Sequence, residues 1–128
     1  MKILLDTHAL IWFLEDDPSL SLRARTAIET AGAVRKVSHA SAWEIAIKVS
    51  LGKLRLPIPF EELVPGRVES LRFEWLPIFP AHLHRLIDLP FHHRDPFDRL
   101  LIAQAQAEKL TLVSRDPWFV DYGVPVLW

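Results

Sequence analysis

Acidic side chains recur in this sequence at points where predicted strands end or helices begin. Four of them stand out: Asp6, Glu44, Asp98 and Asp116. In an open α/β sheet, ligands bind beyond the carboxyl ends of the strands, so we expect these carboxylates to gather at one edge of the sheet. Gathered carboxylates repel one another, and a hard cation such as Mg²⁺ relieves that repulsion because it prefers oxygen ligands.

A Mg²⁺ ion held by carboxylates keeps water positions that suit hydrolysis of a phosphodiester bond. One ion lowers the pKa of an attacking water, and a second ion can neutralise the leaving oxygen. Histidines do not offer a softer metal site, since His92 and His93 are adjacent and would diverge on a helix or strand. The sequence therefore predicts a site built from oxygen ligands alone.

Three basic residues lie close to these acids in the sequence. Lys48 follows Glu44 by one helical turn, a spacing that also suits a simple ion pair worth about 0.2–0.5 kcal/mol. Arg99 and Arg115 each stand directly beside one of the four acids. Our hypothesis is that these basic residues contact the phosphates of the substrate, and solvated surface charge is the alternative.

Each acid also has a purely structural explanation. Asp6, Asp95 and Asp116 have the sequence context of helix N-caps, and Glu44 could close a capping box with Ser41. An acid in the first turn of a helix is favourable by roughly 0.3–1 kcal/mol. The functional interpretation therefore rests on the acids as a set.

The composition fits one soluble domain spanning residues 1–128. Half of the residues are hydrophobic, the formal charge is −1 and there is no cysteine, which excludes disulfides and zinc–thiolate sites. With so little net charge, nucleic-acid binding requires a local basic patch. Asp6 follows Met1 too closely for a signal peptide, and no apolar run reaches the ~20 residues of a membrane span. We therefore expect a cytoplasmic protein with no membrane contact.

Predicted strands alternate with predicted helices along the chain, which indicates an α/β fold with a mostly parallel sheet covered on both sides. The predicted strands are residues 3–5, 34–37, 74–77, 110–113 and 124–127. The predicted helices are residues 10–14, 22–32, 41–52, 61–71 with an interruption at Pro65-Gly66, 81–87, 96–107, and a short one after Asp116.

Four segments, in order and at the right spacing, resemble the motifs of PIN-domain proteins, and especially of VapC-type toxins from bacterial toxin–antitoxin pairs. They are residues 4–10 (LLDTHAL), 41–48 (SAWEIAIK), 94–105 (RDPFDRLLIAQA) and 112–116 (LVSRD). The resemblance extends from Met1 to Trp128. It implies a three-layer α/β/α sandwich, endonuclease activity on RNA with Mg²⁺ or Mn²⁺, homodimers, and an antitoxin that inserts a C-terminal segment near the active site.

The resemblance also assigns roles to residues. The metal-binding acids it implies are Asp6, Glu44, Asp98 and Asp116. The third motif holds a second acid, Asp95, and the spacing to the fourth motif favours Asp98 as the ligand. Asp95 then caps the helix or supports the ligands, and Thr7 is placed beside them in a similar supporting role. His8 departs from the small polar residue often found after Thr7, and either contacts RNA or packs.

Two other classes of protein compete with this interpretation. A phosphatase that forms an aspartyl-phosphate on Asp6 would need a second aspartate two residues later, where His8 stands. A catalytically silent RNA- or protein-binding module of the same fold would not need the full set of acids. Aromatic residues such as Trp12 and Phe13 belong either to the core or to a surface for a partner.

Overall fold

The first strand, β1 (Lys2–Leu5), is buried on both faces, as its continuous apolar sequence predicts. In the computed structural model, which describes residues 1–128, its three apolar side chains have no exposed surface. Ile3 and Leu5 pack into one core, whereas Leu4 packs into a second core on the opposite face. This alternation places β1 at the centre of a sheet with a hydrophobic layer on each side.

Five parallel strands form the sheet, in the order β3-β2-β1-β4-β5. Leu5 is paired with both Val37 and Val113, so the three central strands end level with one another. The other four strands are β2 (Val34–Ser38), β3 (Glu74–Leu76), β4 (Thr111–Val113) and β5 (Val126–Leu127). The predicted α/β class with a parallel sheet is confirmed.

Helices on one face of the sheet complete the first core. They contribute Leu10, Ala24, Ile28 and Ile45 among its fully or almost fully buried residues. These helices are α1 (Thr7–Leu14), α2 (Leu22–Glu29), α3 (His39–Ser50) and the short α4 (Val68–Ser70), which follows a π-helical segment (Glu62–Arg67).

The predicted interruption near Pro65 is present, one residue earlier. Val64 has φ −120° and ψ 114° inside the π-helical segment, because the ring of a following proline disfavours the helical conformation.

The second face is covered by α5 (Pro80–Ile87), α6 (Pro96–Glu108) and a 3₁₀ turn (Pro117–Tyr122). Leu101, Ile102 and Phe119 pack there against Leu4 and Leu112 of the sheet. Helices on both faces of a parallel sheet make the three-layer α/β/α sandwich that the resemblance implies. None of the helices combines the length and apolar character that crossing a membrane requires.

The start of α3 differs from the sequence-based prediction. Ser38, rather than Ser41, is the N-cap, and its side chain accepts a hydrogen bond from the Ala40 amide at 3.0 Å. The predicted capping box of Ser41 with Glu44 is therefore wrong. The helix begins directly where β2 ends, which leaves the Glu44 side chain free to make contacts outside its own helix.

Candidate functional site

Asp6 stands at the junction of β1 and α1, at the carboxyl edge of the sheet. Its amide donates to the Val113 carbonyl at 3.1 Å, which ties the end of β1 to the end of β4. Its Oδ1 accepts the Ala9 amide at 2.8 Å, so Asp6 is the N-cap of α1. The side chain is buried, also receives a hydrogen bond from Ser114, and lines the cleft described below.

Glu44 reaches the same edge from the second turn of α3 and is held from two sides. Thr7 Oγ1 donates to Oε1 of Glu44 at 2.6 Å, and Lys48 Nζ donates to Oε2 at 2.8 Å. Thr7 and Glu44 are both buried. Thr7 therefore holds the Glu44 carboxylate in place, and Lys48 forms the ion pair that its spacing allows.

Asp95 and Asp98 lie at the start of α6 in different environments. Asp95 is exposed and caps the helix, its Oδ1 accepting the amides of Phe97 at 2.9 Å and Asp98 at 3.2 Å. The Asp98 side chain is only 23% exposed and points into the acidic cluster. Asp98 is therefore surrounded by other acids, whereas the contacts of Asp95 are those of a cap.

Asp116 follows β4 and caps the 3₁₀ turn. Its Oδ1 accepts a hydrogen bond from the Trp118 amide at 2.9 Å. Arg115 beside it is exposed, and its guanidinium lies over the ring of Trp12, 4.7 Å from the centroid. Trp12 in turn lies against His8, with ring centroids 5.4 Å apart.

The structure brings the four predicted acids together in one cleft of about 320 Å³. Its wall is almost entirely polar and also contains two of the three predicted basic residues, Lys48 and Arg115. The complete lining is Asp6, Thr7, His8, Trp12, Glu44, Lys48, Asp95, Asp98, Arg115, Asp116 and Pro117.

The electrostatics of this cleft fit a cation. Burial raises the pKa of Asp98 to about 8, and the negative charges of four neighbouring acids add to this shift: Asp95, Asp116, Asp6 and Glu44. Burial also raises the pKa of Asp6, although hydrogen bonds from Ser114 and Ala9 oppose the shift. Without a compensating positive charge the cluster therefore holds protons, and its oxygen donors are those that Mg²⁺ and Mn²⁺ prefer.

Arg99 does not lie in the cleft. Its guanidinium is buried and donates to the carbonyls of Pro90 at 2.7 Å and Leu89 at 3.3 Å, and to the Tyr122 hydroxyl at 3.2 Å. Consecutive helical residues point about 100° apart, so the neighbour of an inward-facing Asp98 faces elsewhere. This placement corrects the sequence-based hypothesis that Arg99 contacts RNA.

His93 is a residue of the site that the sequence interpretation missed. Its Nε2 lies 3.6 Å from Oδ2 of Asp98, and ligand atoms of His93, Asp98 and Asp116 all lie within 4.8 Å of one another. The predicted oxygen donors are therefore joined at the site by one imidazole. His92 and His93 lie outside regular structure, and both rings contact that of Tyr122, with centroids 4.7 and 5.4 Å from it. His93 also faces the acids.

The remaining aromatic residues divide between core and cleft. Phe13 packs edge-on against Phe73, with ring centroids 5.7 Å apart, so it belongs to the core side of α1. Trp12 lines the cleft and also contacts Trp128. His8 is exposed at the mouth of the cleft rather than packed inside it.

Fold and site together define an α/β/α domain with a carboxylate cluster, suited to a divalent cation, at the carboxyl edge of a parallel sheet. The chain belongs to the PIN domain family, whose model matches residues 3–124. No match was found among curated proteins.

Solved structures with this fold include VapBC2 from Rickettsia felis bound to a DNA fragment from its promoter, with 17% identity, a TM-score of 0.73 and coverage of 98% of this chain and 97% of the other. FitAB bound to the IR36 DNA fragment has 17% identity, a TM-score of 0.69 and coverage of 97% and 92%. VapBC-1 from nontypeable Haemophilus influenzae has 14% identity, a TM-score of 0.65 and coverage of 98% and 96%. At these identities the likeness concerns the fold.

Proposed function

We propose that this PIN-domain chain is an endoribonuclease that depends on Mg²⁺ or Mn²⁺ and acts as the toxin of a toxin–antitoxin pair. The observation that carries the proposal is the convergence of four carboxylates in one cleft, where burial, and then repulsion by the neighbouring acids, raises the pKa of Asp98 to about 8. The fold shared with the VapBC and FitAB toxin–antitoxin complexes supports the biological setting.

Asp6, Glu44, Asp98 and Asp116 would hold the metal ion, and both oxygens of Glu44 also contact Thr7 or Lys48. When bound, the ion would acidify a water and offset negative charge on the scissile phosphate. The chain itself contributes rigid carboxylates: Glu44 is fixed by Thr7 and Lys48, and the Asp6 and Asp116 side chains are fixed by the helix amides that they cap.

RNA would be held at this cleft by the basic residues of its wall. Lys48 and Arg115 are the two cations that line it, and Trp12 holds the Arg115 guanidinium over its ring. Since the net charge is only −1, such a local patch is the part of the surface that attracts phosphates. Asp95 would serve as the cap that orients the first turn of α6.

A cognate antitoxin and a second copy of the chain are the proposed protein partners, in the cytoplasm. An apolar groove of about 420 Å³ runs between α1 and residues 56–67. Ile11 and Leu14 line one side, and Leu56, Ile58 and Leu63 line the other. A groove of this kind suits the apolar face of a partner segment, and α1 begins at the acidic cleft, where the antitoxin terminus is proposed to insert.

The test is cleavage of a fluorescent RNA by the purified, antitoxin-free chain, after chelation and after Mg²⁺ or Mn²⁺ is restored. Asp6→Asn preserves the shape of the side chain and removes its charge. We expect this variant to lose cleavage while its thermal stability stays the same or rises, because carboxylate repulsion is relieved. Full activity of Asp6→Asn would contradict the metal site. Absence of cleavage by the wild-type chain on every RNA class would favour the catalytically silent module.

A further inference from the structure

His93 has an unusual environment for a histidine beside a carboxylate cluster. It lies between α5 and α6, and its side chain is only 12% exposed. Its Nε2 is buried and has no hydrogen-bond partner, although Oδ2 of Asp98 is 3.6 Å away. Buried polar atoms in native proteins almost always have a partner, so this nitrogen calls for an explanation.

The other ring nitrogen, Nδ1, faces the Tyr122 hydroxyl. The hydrogen bonds of this hydroxyl determine whether Nδ1 carries a proton. The Tyr122 oxygen accepts from the amides of His92 at 3.1 Å and His93 at 3.2 Å, and from Nη1 of Arg99 at 3.2 Å. A phenolic oxygen has no acceptor capacity left after that many donors. The hydroxyl proton has two acceptors within reach, Nδ1 of His93 at 2.9 Å and the His93 carbonyl at 3.5 Å. The contact with Nδ1 has the better hydrogen-bond length, so the hydroxyl donates and Nδ1 accepts.

A neutral imidazole has one N–H group. A ring nitrogen that accepts a hydrogen bond carries no proton, so the N–H must be at the other nitrogen. With Nδ1 as acceptor, the proton is on Nε2, on the side of Asp98. We propose that His93 is a positioning residue of the acidic site, whose Nε2–H donates to the Asp98 carboxylate and fixes which Asp98 oxygen faces the cation. The inference rests on the proposed metal-dependent function.

The distance of 3.6 Å is long for a hydrogen bond, but catalytic hydrogen bonds are often long in empty sites and tighten in the loaded state. Carboxylates that bind metals commonly receive such a bond from a neighbouring group, which orients them. Asp98 has no other side-chain donor aimed at it among the contacts of the cleft. His93 supplies the donor that this ligand lacks.

Direct coordination of a metal by His93 is the competing role, since its nitrogen lies within 4.8 Å of ligand atoms of Asp98 and Asp116. Coordination needs a lone pair on Nε2 and therefore moves the proton to Nδ1. That proton would face the Tyr122 oxygen, which already accepts three N–H groups. The hydrogen bonds around Tyr122 thus oppose coordination and favour donation.

The same contacts give Arg99 a role. Its guanidinium donates to Tyr122 and to the carbonyls of Leu89 and Pro90, which fixes both the hydroxyl and the segment that leads to His93. A continuous path of contacts therefore connects Arg99, Tyr122, His93 and Asp98. Arg99 acts on the site through this path.

The first test reads the tautomer directly from ¹⁵N chemical shifts of the imidazole in the full-length chain, without metal and in alkaline buffer, where the imidazole is neutral. We expect Nε2 in the protonated range and Nδ1 in the unprotonated range. Tyr122→Phe should abolish this preference. A proton on Nδ1, or an Nε2 resonance that moves to the coordinated range when Mg²⁺ is added, would overturn the proposal.

The second test compares Mn²⁺ affinity, measured by calorimetry, in two variants of similar size. His93→Gln keeps an N–H near the position of Nε2, whereas His93→Asn keeps only a group near Nδ1. We expect Mn²⁺ to bind about 10–100-fold more weakly to His93→Asn and nearly normally to His93→Gln, with similar melting temperatures for both. Equal losses in the two variants would contradict a donor role. If the wild-type chain binds no Mn²⁺, the proposed metal site fails, and the tautomer measurement still decides the role of His93.

Discussion

Asp95 and Asp98 are three residues apart on one helix turn, yet their surroundings assign them different tasks. One carboxylate oxygen of Asp95 accepts hydrogen bonds from two helix amides, in a solvent-exposed position. Asp98 has no cap to form, lies half-buried among acids, and has a pKa of about 8. A group in that environment is stabilised by a cation and destabilised by its own charge.

A matched pair of variants separates the two roles. Asp98→Asn should remove most of the RNA cleavage while preserving or raising stability. Asp95→Ala should lower the free energy of unfolding by about 0.5–2 kcal/mol, as loss of a cap does, and should retain most of the cleavage. Both quantities are measurable on the same preparations by thermal unfolding and RNA cleavage. The reverse pattern would mean that Asp95 is the ligand.

The raised pKa of Asp98 predicts how stability varies with pH in the metal-free protein. Folded Asp98 keeps its proton up to pH about 8, whereas the unfolded chain releases it near the ordinary value of 3.8. The folded state binds more protons between these values, so this group makes the free energy of unfolding fall as pH rises from about 4 to about 8. The raised pKa of Asp6 acts in the same direction.

Thermal unfolding in EDTA across this pH range tests the prediction. Asp98→Asn lacks the titrating group, so its stability should decline less than that of the wild-type chain between the two limits. Saturating Mg²⁺ should also reduce the decline, because the ion replaces the proton. Parallel pH profiles for the wild-type chain and Asp98→Asn would contradict the burial of charge inferred for this site.

The sequence was sufficient to find the acids of the cleft but not all of its other residues. Asp6, Asp98 and Asp116 follow strands or open helices, and their direction follows from regular structure. His93 lies in a segment with no regular period, and its orientation depends on Tyr122, a residue distant in sequence. Arg99 was misassigned because adjacency in sequence does not mean adjacency on a helix.

At the scale of elements, helix capping and metal binding are compatible uses of the same side chain. Asp6 and Asp116 each cap a helical segment through Oδ1, and the cap fixes the carboxylate in space. The structural explanation and the proposed metal-binding role are therefore compatible, and each capped segment positions one acid of the cleft.

The start of α3 gives an element-scale prediction. Ser38→Ala removes the observed cap and should lower the free energy of unfolding by about 0.5–2 kcal/mol. Ser41 is buried, but its hydroxyl has no partner, so Ser41→Ala should be neutral or slightly stabilising. Chemical denaturation of both variants measures the difference. A larger loss for Ser41→Ala would restore the capping box with Glu44 predicted from the sequence.

Strands proved easier to predict than the ends of helices. Residues 3–5 are a continuous apolar run, and residues 34–37 place two valines around two basic residues; β1 and β2 match these predicted strands closely. Helix α3 begins earlier than predicted because two serines offer similar caps and the chain turns directly out of β2. Only the packed structure decides between such local alternatives, since a cap is worth about 1 kcal/mol.

At the scale of the whole molecule, the sheet gathers negative charge at one edge, and the small net charge of the chain does not reveal this. The net charge of −1 conceals a cleft in which five carboxylates share about 320 Å³. The level ends of β2, β1 and β4 produce this concentration, because each strand delivers its following residues to the same edge. Such a site cannot accept an RNA phosphate until its negative charge is offset.

Divalent ions should therefore stabilise the entire folded chain. An ion that binds only the folded state adds about 2.7 kcal/mol to the free energy of unfolding at 100 times its dissociation constant. We expect the melting temperature to be lowest in EDTA and to rise with Mg²⁺, Mn²⁺ and Ca²⁺. Asp6→Asn is the control, and its melting temperature should respond less to each ion.

Cleavage of RNA should separate the three ions that stabilise the chain. Mg²⁺ and Mn²⁺ should restore cleavage after chelation, because they hold an acidified water in a tight coordination shell. Ca²⁺ takes more ligands at longer distances, so it should raise the melting temperature without restoring cleavage. The two measurements are made on one antitoxin-free preparation, with each ion added in turn. Robust cleavage in excess EDTA would rule out the metal mechanism and leave His8, His92 or His93 as candidates for a general base in a metal-free ribonuclease.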